Sequence, residues 1–328
     1  MIRSLLKWLL PALWAWPLCS NGAELTPEIH SRLQALSQQL DVPMPQLELA
    51  VRMARYRQSV LDAITRPWEA KPWYLYRPLF VTQERIEHGV QFWRLHAKVL
   101  DAAEKQWQVP AAIIVAIIGI ETRYGTQMGN HPVLDSLYTL GFHYPERGEY
   151  FSKEFAQYVK LARSQGWALR DAMGSYAGAM GMGQFMPTSY LHFAIDGNQD
   201  GHKDLFYTPD DAIHSVAHYF AEHGWQSGAP VAYLAKVNNE IQISPLLDDK
   251  MELNHSWQEL SHQGVTMAAY LPATTQVKLL KLEQAQGNEY WVVGSNFQVI
   301  TRYNRSPLYA MAVYQLSEAL TSAYDQVK

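Results

Sequence analysis

The chain of 328 residues holds a single cysteine, Cys19. One thiol cannot close an intramolecular disulfide, so the fold must rest on packing whatever the redox state of its compartment. Charge is also sparse. Lys and Arg number 27 against 31 Asp and Glu, for a formal net charge of −4. That balance leaves no basic footprint for a phosphate backbone, which sets nucleic acid aside as a partner. No apolar run reaches the roughly 18 residues that a membrane-spanning helix needs. The 12 histidines show no HExxH or comparable transition-metal spacing. Neither GK[ST] nor a strand-bound GxGxxG occurs, so a nucleotide site finds no support.

The remaining composition, 48% hydrophobic and 18% charged, is that of a globular protein with a sizeable core. The length suits one large domain with insertions, or two to three packed subdomains. Arg3 and Lys7 precede an uncharged, Trp- and Leu-rich stretch over residues 8–18, followed by Ser20-Asn21-Gly22-Ala23. Residues 1–23 therefore read as a secretory signal peptide and place the protein in the periplasm. Loss of Arg3 and Lys7 takes the net charge from −4 to −6. Cys19 stands where a lipoprotein carries its acylated residue, so an outer-membrane lipid anchor is the alternative. The Trp16-Pro17-Leu18 before it is a poor lipobox and favours simple cleavage near Ala23.

Residues 24–105 read as helical, with Leu33, Leu36 and Leu40 at helical intervals and breaks at Pro43, Pro67, Pro72 and Pro78. Pro110 then opens a nearly all-apolar stretch over 111–120. Its length and the initiating proline favour a buried helix, while its Ile and Val content admits a buried strand. A core over 106–226 continues with helices at about 150–165 and 209–224, separated by a glycine-rich segment at 174–183 and a polar loop at 196–205. A helical or irregular extension is expected at 227–274. A small antiparallel β unit is expected at 275–303, from β-favouring runs at 277–282, 290–293 and 297–301 with turn signals between them. A last helix, about 308–326 within the closing 304–328 segment, should pack back on the core.

The first chemical signal is Ile117-Ile118-Gly119-Ile120-Glu121-Thr122-Arg123-Tyr124-Gly125. On a helix Glu121 shares a face with Ile114, Ile117 and Ile118, so desolvation should raise its pKa toward the range a general acid needs. A surface ion pair between Glu121 and Arg123 is the plainer alternative. The second signal is Gly174-Ser175-Tyr176-Ala177-Gly178-Ala179-Met180-Gly181-Met182-Gly183-Gln184-Phe185-Met186-Pro187. Its glycines permit close backbone approach to a ligand or to another helix, and its polar and flat apolar side chains suit sugars. The third is Asp196-x-Asn198-x-Asp200-Gly201-His202-x-Asp204, which follows the first nine positions of an EF-hand loop. Tyr207 occupies the twelfth position, where a bidentate Glu belongs, so an Asx- and Gly-rich turn without metal is the alternative.

The Glu121-to-Gly125 and Gly178-to-Pro187 motifs together resemble the membrane-bound lytic murein transglycosylase B family. So do Tyr144-Pro145 with Arg147 and Tyr150-Phe151, Ser215-Val216-Ala217 with Tyr219-Phe220 and His223-Gly224-Trp225, and Ile300-Thr301-Arg302-Tyr303-Asn304 with Tyr309-Ala310-Met311-Ala312-Val313. These matches run in order over about residues 67–316.

The resemblance implies a mainly α fold of the α+β type: a lysozyme-like core, a flanking helical subdomain and a small antiparallel β subdomain. It implies cleavage of the β-1,4 bond between N-acetylmuramic acid and N-acetylglucosamine in peptidoglycan, leaving 1,6-anhydromuramoyl ends. Glu121 becomes the sole catalytic acid and base. Tyr76, Arg147, Tyr150, Ser175, Gln184, Phe185, Tyr219, Asn304 and Tyr309 become groove residues. Glu146 departs from the family, whose members often carry a second Arg there. A later Asp completes the calcium loop, so the metal set is Asp196, Asn198, Asp200, the His202 carbonyl and Asp211, with Asp210 as the fallback. Calcium would be structural, and catalysis would need no cofactor. The expected partners are glycan strands and other cell-wall enzymes, with the chain itself a monomer. Two competing functions are a hydrolytic muramidase and a non-catalytic peptidoglycan-binding scaffold; retention of Glu121 with Ser175 and Gln184 speaks against the second.

Overall fold

The computed structural model describes residues 23–66, 71–248 and 250–327. The signal peptide and Cys19 readings therefore lie outside the described residues. At the centre stands the helix Ala111–Thr122, AAIIVAIIGIET, in which every residue but Glu121 is buried. A helix apolar on all sides must be covered on all sides. The covering comes chiefly from the C-terminal helix Pro307–Asp325, with Gln83–Leu95, Ala97–Trp107 and Pro209–Glu222 completing it. The helix reading of 111–120 thus holds, with Pro110 at the N-cap rather than inside the first turn. The helical pair Val133–His143 and Gly148–Gln165 forms the other side of this core.

The N-terminal helices Pro27–Leu40 and Met44–Met53 lie against Gly148–Gln165. They are locked there by Asp135, which has no exposed surface. Arg170 forks onto its carboxylate at 2.8 and 3.0 Å. Arg57 donates from Nε at 2.9 Å, and the Arg55 amide donates at 3.0 Å. One buried acid so ties three segments of chain.

A second, smaller core fills an antiparallel five-stranded sheet in the order His255–Ser256, Gln276–Glu283, Asn288–Val293, Ala232–Val237, Val265–Met267. The β-favouring runs at 277–282 and 290–293 are strands, as expected, with Leu280 opposite Trp291. The run at 297–301 is not. It lies in the helix Ser295–Tyr303, which starts at Gly294 and buries Phe297, Ile300 and Thr301 one turn apart. Helical spacing of the buried positions outweighed the strand preference of Val299, Ile300 and Thr301. The 227–274 extension also differs from its helical or irregular reading, since it supplies three strands of the sheet. Along Ala232–Val237 the apolar Leu234 faces solvent, so no clean alternation marks the strand.

Candidate active site

Glu121 sits at the last turn of the central helix, just before Arg123 and Tyr124 take left-handed backbone conformations and end it. Thr122 holds this turn: its hydroxyl donates to the Met182 carbonyl at 2.8 Å and accepts from the Gly125 amide at 3.0 Å. The glycine-rich segment is thereby fastened directly to the residue after Glu121. Gly181, at φ +70°, brings that segment so near the Leu205 backbone that a Cβ would stand 2.6 Å from the Leu205 carbonyl oxygen. Close approach to protein backbone, rather than to a ligand, is what requires glycine there.

The Glu121 side chain is partly open to solvent but densely surrounded. Desolvation pushes its pKa up from 4.5 to about 7, and the hydrogen bond from Tyr309 pulls the other way. Tyr309 donates its hydroxyl to Glu121 Oε1 at 2.5 Å. Burial and the neighbouring Glu121 charge hold the Tyr309 phenol far above its ordinary pKa, so it stays a donor. Tyr303, whose hydroxyl donates to the Gly183 carbonyl, is raised the same way, with Glu121 again the nearest charge acting on it. The carboxyl thus accepts from one permanently protonated phenol, and its charge acts on a second. The surface pair with Arg123 does not form; Arg123 reaches Glu84 instead, at 3.9 Å.

Among the described residues, no other carboxylate acts on Glu121. Asp135 is held by its two arginines, Glu149 by Lys153 at 2.9 Å, and Glu146 by the Tyr144 hydroxyl at 2.7 Å. Buried Glu154 accepts the Thr188 amide at 2.9 Å, which accounts for it as a helix cap.

Of the remaining expected groove residues, Tyr76 is buried beside Phe80 and near enough to raise the Tyr309 pKa. Phe185, Tyr219 and Tyr303 form an aromatic cluster with centroid separations of 4.8–6.0 Å. Tyr219 donates to the Arg302 carbonyl at 2.7 Å. Arg147 covers the rings of Tyr150 and Phe151 at 4.9 and 5.0 Å. Charges of Arg147 and Arg305 both reach Tyr150. Ser175 accepts from the Ala177 and Ala179 amides, so its hydroxyl proton remains to donate. Gln184, in a left-handed conformation rare for its type, gives its amide N–H groups to the Met128 and Gly181 carbonyls. Asn304 is exposed at the end of its helix. Tyr303 and Arg305 are the residues the sequence reading left unassigned, although Tyr303 lay inside a quoted motif; only its contact with Gly183 marks it out.

The 196–211 loop is built on its own carboxylates. Asp196 accepts the Asp200 and Gly201 amides, and Asn198 also accepts Asp200. Buried Asp211 accepts Gly197 and Asp204 at 2.8 and 2.7 Å. Burial raises the Asp211 pKa, and the Asp196 charge adds to the rise. The donor set of Asp196, Asn198, Asp200, the His202 carbonyl and Asp211 is oxygen-only and fits a hard cation in its chemistry. Among the described residues, however, no three His, Cys, Asp or Glu side chains are gathered as a metal cluster.

A carboxyl with a raised pKa beside a glycine-rich loop and an aromatic cluster, in a mainly helical core, is an arrangement suited to acid chemistry on a glycan. The chain belongs to the Transglycosylase SLT domain family, which it matches over residues 26–318. It is 43% identical over 251 residues to membrane-bound lytic murein transglycosylase B of Escherichia coli K12, covering 76% of this chain and 68% of that protein. The fold matches the catenated lytic transglycosylase SltB1 of Pseudomonas aeruginosa with a TM-score of 0.86 at 42% identity, over 92% of this chain and 99% of that one. It matches the Escherichia coli lytic transglycosylase Slt35 in complex with calcium with a TM-score of 0.83 at 38% identity, over 92% and 96%. The fold is thus the lysozyme-like one of these enzymes, and the protein is a lytic murein transglycosylase acting on peptidoglycan.

Proposed function

We propose that Glu121 is the sole acid and base of this reaction. Protonated Glu121 donates to the oxygen of the β-1,4 bond between N-acetylmuramic acid and N-acetylglucosamine. As carboxylate it then takes the proton of the muramic C6 hydroxyl, whose oxygen closes on the anomeric carbon to give the 1,6-anhydro end. The observation that carries this reading is a lone carboxyl with its pKa raised to about 7, where it can both give and take a proton near neutrality. A glycosidase using two carboxylates would need a second one across the cleft, and the nearby acids are engaged elsewhere. An internal hydroxyl outcompetes water by proximity. Tyr76, Arg147, Tyr150, Ser175, Gln184, Phe185, Tyr219, Asn304 and Tyr309 line the groove in this reading. Mass spectrometry of digested peptidoglycan tests it: anhydromuramoyl ends are expected, and reducing ends would point to hydrolysis.

The 196–211 loop holds a structural calcium ion through Asp196, Asn198, Asp200, Asp211 and the His202 carbonyl. The calcium complex of Slt35 supports this. The protein works in the periplasm after export by residues 1–23. No helix among the described residues is long and apolar enough to cross a membrane.

A further inference from the structure

Beyond the Gln184 end of the groove lies a cavity of about 300 Å³ lined by Met128, Gly129, Trp167, Asp171, Met173 and Phe206, with Tyr207 at its rim. None of these residues has a part in the chemistry assigned to Glu121. A second cavity of about 250 Å³ shares Trp167, Phe206 and Tyr207 and adds the polar side chains of Gln165, His202, Lys203 and Asp204. An aromatic wall thus separates two hollows, each with polar groups at its edge.

The wall is held rather than merely exposed. Trp167 is braced edge-on by Tyr190 and Phe206, both at 5.7 Å between centroids. Asp204 Oδ1 accepts both the Phe206 and Tyr207 amides and so fixes the backbone from which Tyr207 projects, 82% exposed. Met173, 39% exposed, and Asp171 complete the opposite side. An exposed, backbone-fixed tyrosine beside a half-buried tryptophan and a carboxylate offers flat apolar faces together with a hydrogen-bond acceptor. That is the mixture by which sugar rings are held.

The residues lining the cavity adjoin those of the proposed groove. Its Met128 carbonyl receives the Gln184 side chain at 3.1 Å. Its Gly129 abuts the Gly174 carbonyl and the Ser175 amide, and Met173 leads directly into Gly174 and Ser175.

We infer that Trp167, Asp171, Met173 and Tyr207 form a distal subsite for a further N-acetylhexosamine of the glycan strand, so that the enzyme favours long strands. The inference rests on the glycan-cleaving reading of the Glu121 site. The ring packs on Trp167 and Tyr207, and Asp171 accepts from a sugar hydroxyl or amide.

The test measures kcat and KM of the full chain on peptide-free glycan strands from tetrasaccharide to octasaccharide. In the wild type kcat/KM should climb with strand length. Tyr207→Ala and Asp171→Asn should flatten that climb through KM, by about five- to tenfold on the octasaccharide, the scale of one lost aromatic contact. Tyr207 is so exposed that its removal leaves the fold intact, whereas Trp167→Ala also loses the packing with Tyr190. Variants that keep the wild-type length dependence, or lose kcat on short and long strands alike, overturn the subsite. A KM loss seen only on strands bearing stem peptides also overturns it, by assigning the cavity to peptide. Wild type that cleaves no strand of any length would instead count against the reading of Glu121.

Discussion

The Tyr309 hydroxyl donates to Glu121 Oε1 at 2.5 Å across 188 residues of sequence. Tyr309 lies in the first turn of the C-terminal helix, where Ser306 caps the chain and accepts the Tyr309 amide. That helix packs along the central one, so the contact is set by how two buried helices meet. The phenol favours the carboxylate, desolvation opposes it, and desolvation wins.

Glu121→Gln should keep the fold and glycan binding while abolishing strand cleavage, because the amide preserves shape but cannot donate and then accept a proton. The loss should amount to several kcal/mol of transition-state stabilisation, roughly 10³-fold or more in turnover. Quantified anhydromuramoyl release checks it; appreciable turnover by the variant would exclude a single-acid mechanism.

The pH profile should carry a descending limb near 7, since the first step needs protonated Glu121. In Tyr309→Phe the bond that favours the carboxylate is gone, so that limb should move to higher pH. Stability follows the same sign. The folded state keeps a proton that the unfolded chain releases near 4.5, so this group's contribution is undiminished below that value. It falls as pH climbs to about 7, and is constant above. Denaturation midpoints of wild type and Glu121→Gln across pH 4–8 give the check: a wild-type slope no steeper than the variant's would contradict the raised pKa.

Asp135→Ala should leave two arginines and the Arg55 amide without the buried acceptor they share. Breaking such a pair by removing one partner costs about 3–5 kcal/mol. Urea titration should show the full effect; a loss below about 1 kcal/mol would mean that water replaces Asp135 easily.

Gly129→Ala should destabilise by about 1–3 kcal/mol and lower turnover together. Gly129 has φ +98°, and a Cβ would stand 2.0 Å from the Gly174 carbonyl oxygen. The short strand pair His131–Pro132 and Met173–Gly174 would have to part, carrying Ser175 with it. A variant with wild-type melting temperature and rate would show that the two segments are not pressed together in solution.

Calcium should raise the melting temperature of EDTA-stripped protein, by roughly 2.7 kcal/mol of stability at a hundredfold excess over Kd. Asp200→Ala should blunt the response. An unmoved wild type at millimolar calcium, or an equal response from the variant, would leave the 196–211 loop as a turn held by its own amides.

Much of this was legible in order along the chain. The all-apolar run before Glu121 marked the central helix and the desolvated acid, because ten consecutive buried residues, 111–120, leave the carboxylate that follows them little solvent. The two glycine- and acid-rich motifs stood out by composition. The strand at Ala232–Val237 did not, since its outward positions include Leu234. The run at 297–301 misled for the opposite reason: its β-branched residues suggested a strand, while Phe297, Ile300 and Thr301 are buried at helical spacing.

The sequence by itself determined the helical core, the position of the acid at its end and the oxygen-rich loop, all of which follow from local period and composition. Only the tertiary structure decided which side chains surround that acid. The Tyr309 phenol reaches Glu121, and Tyr303 comes within range of its charge, because the C-terminal segment folds back onto the central helix. The contact between Gly129 and Gly174 likewise depends on chain 45 residues away. Local propensity acts over a few residues, whereas a pKa raised to about 7 is made by burial among groups from opposite ends of the molecule.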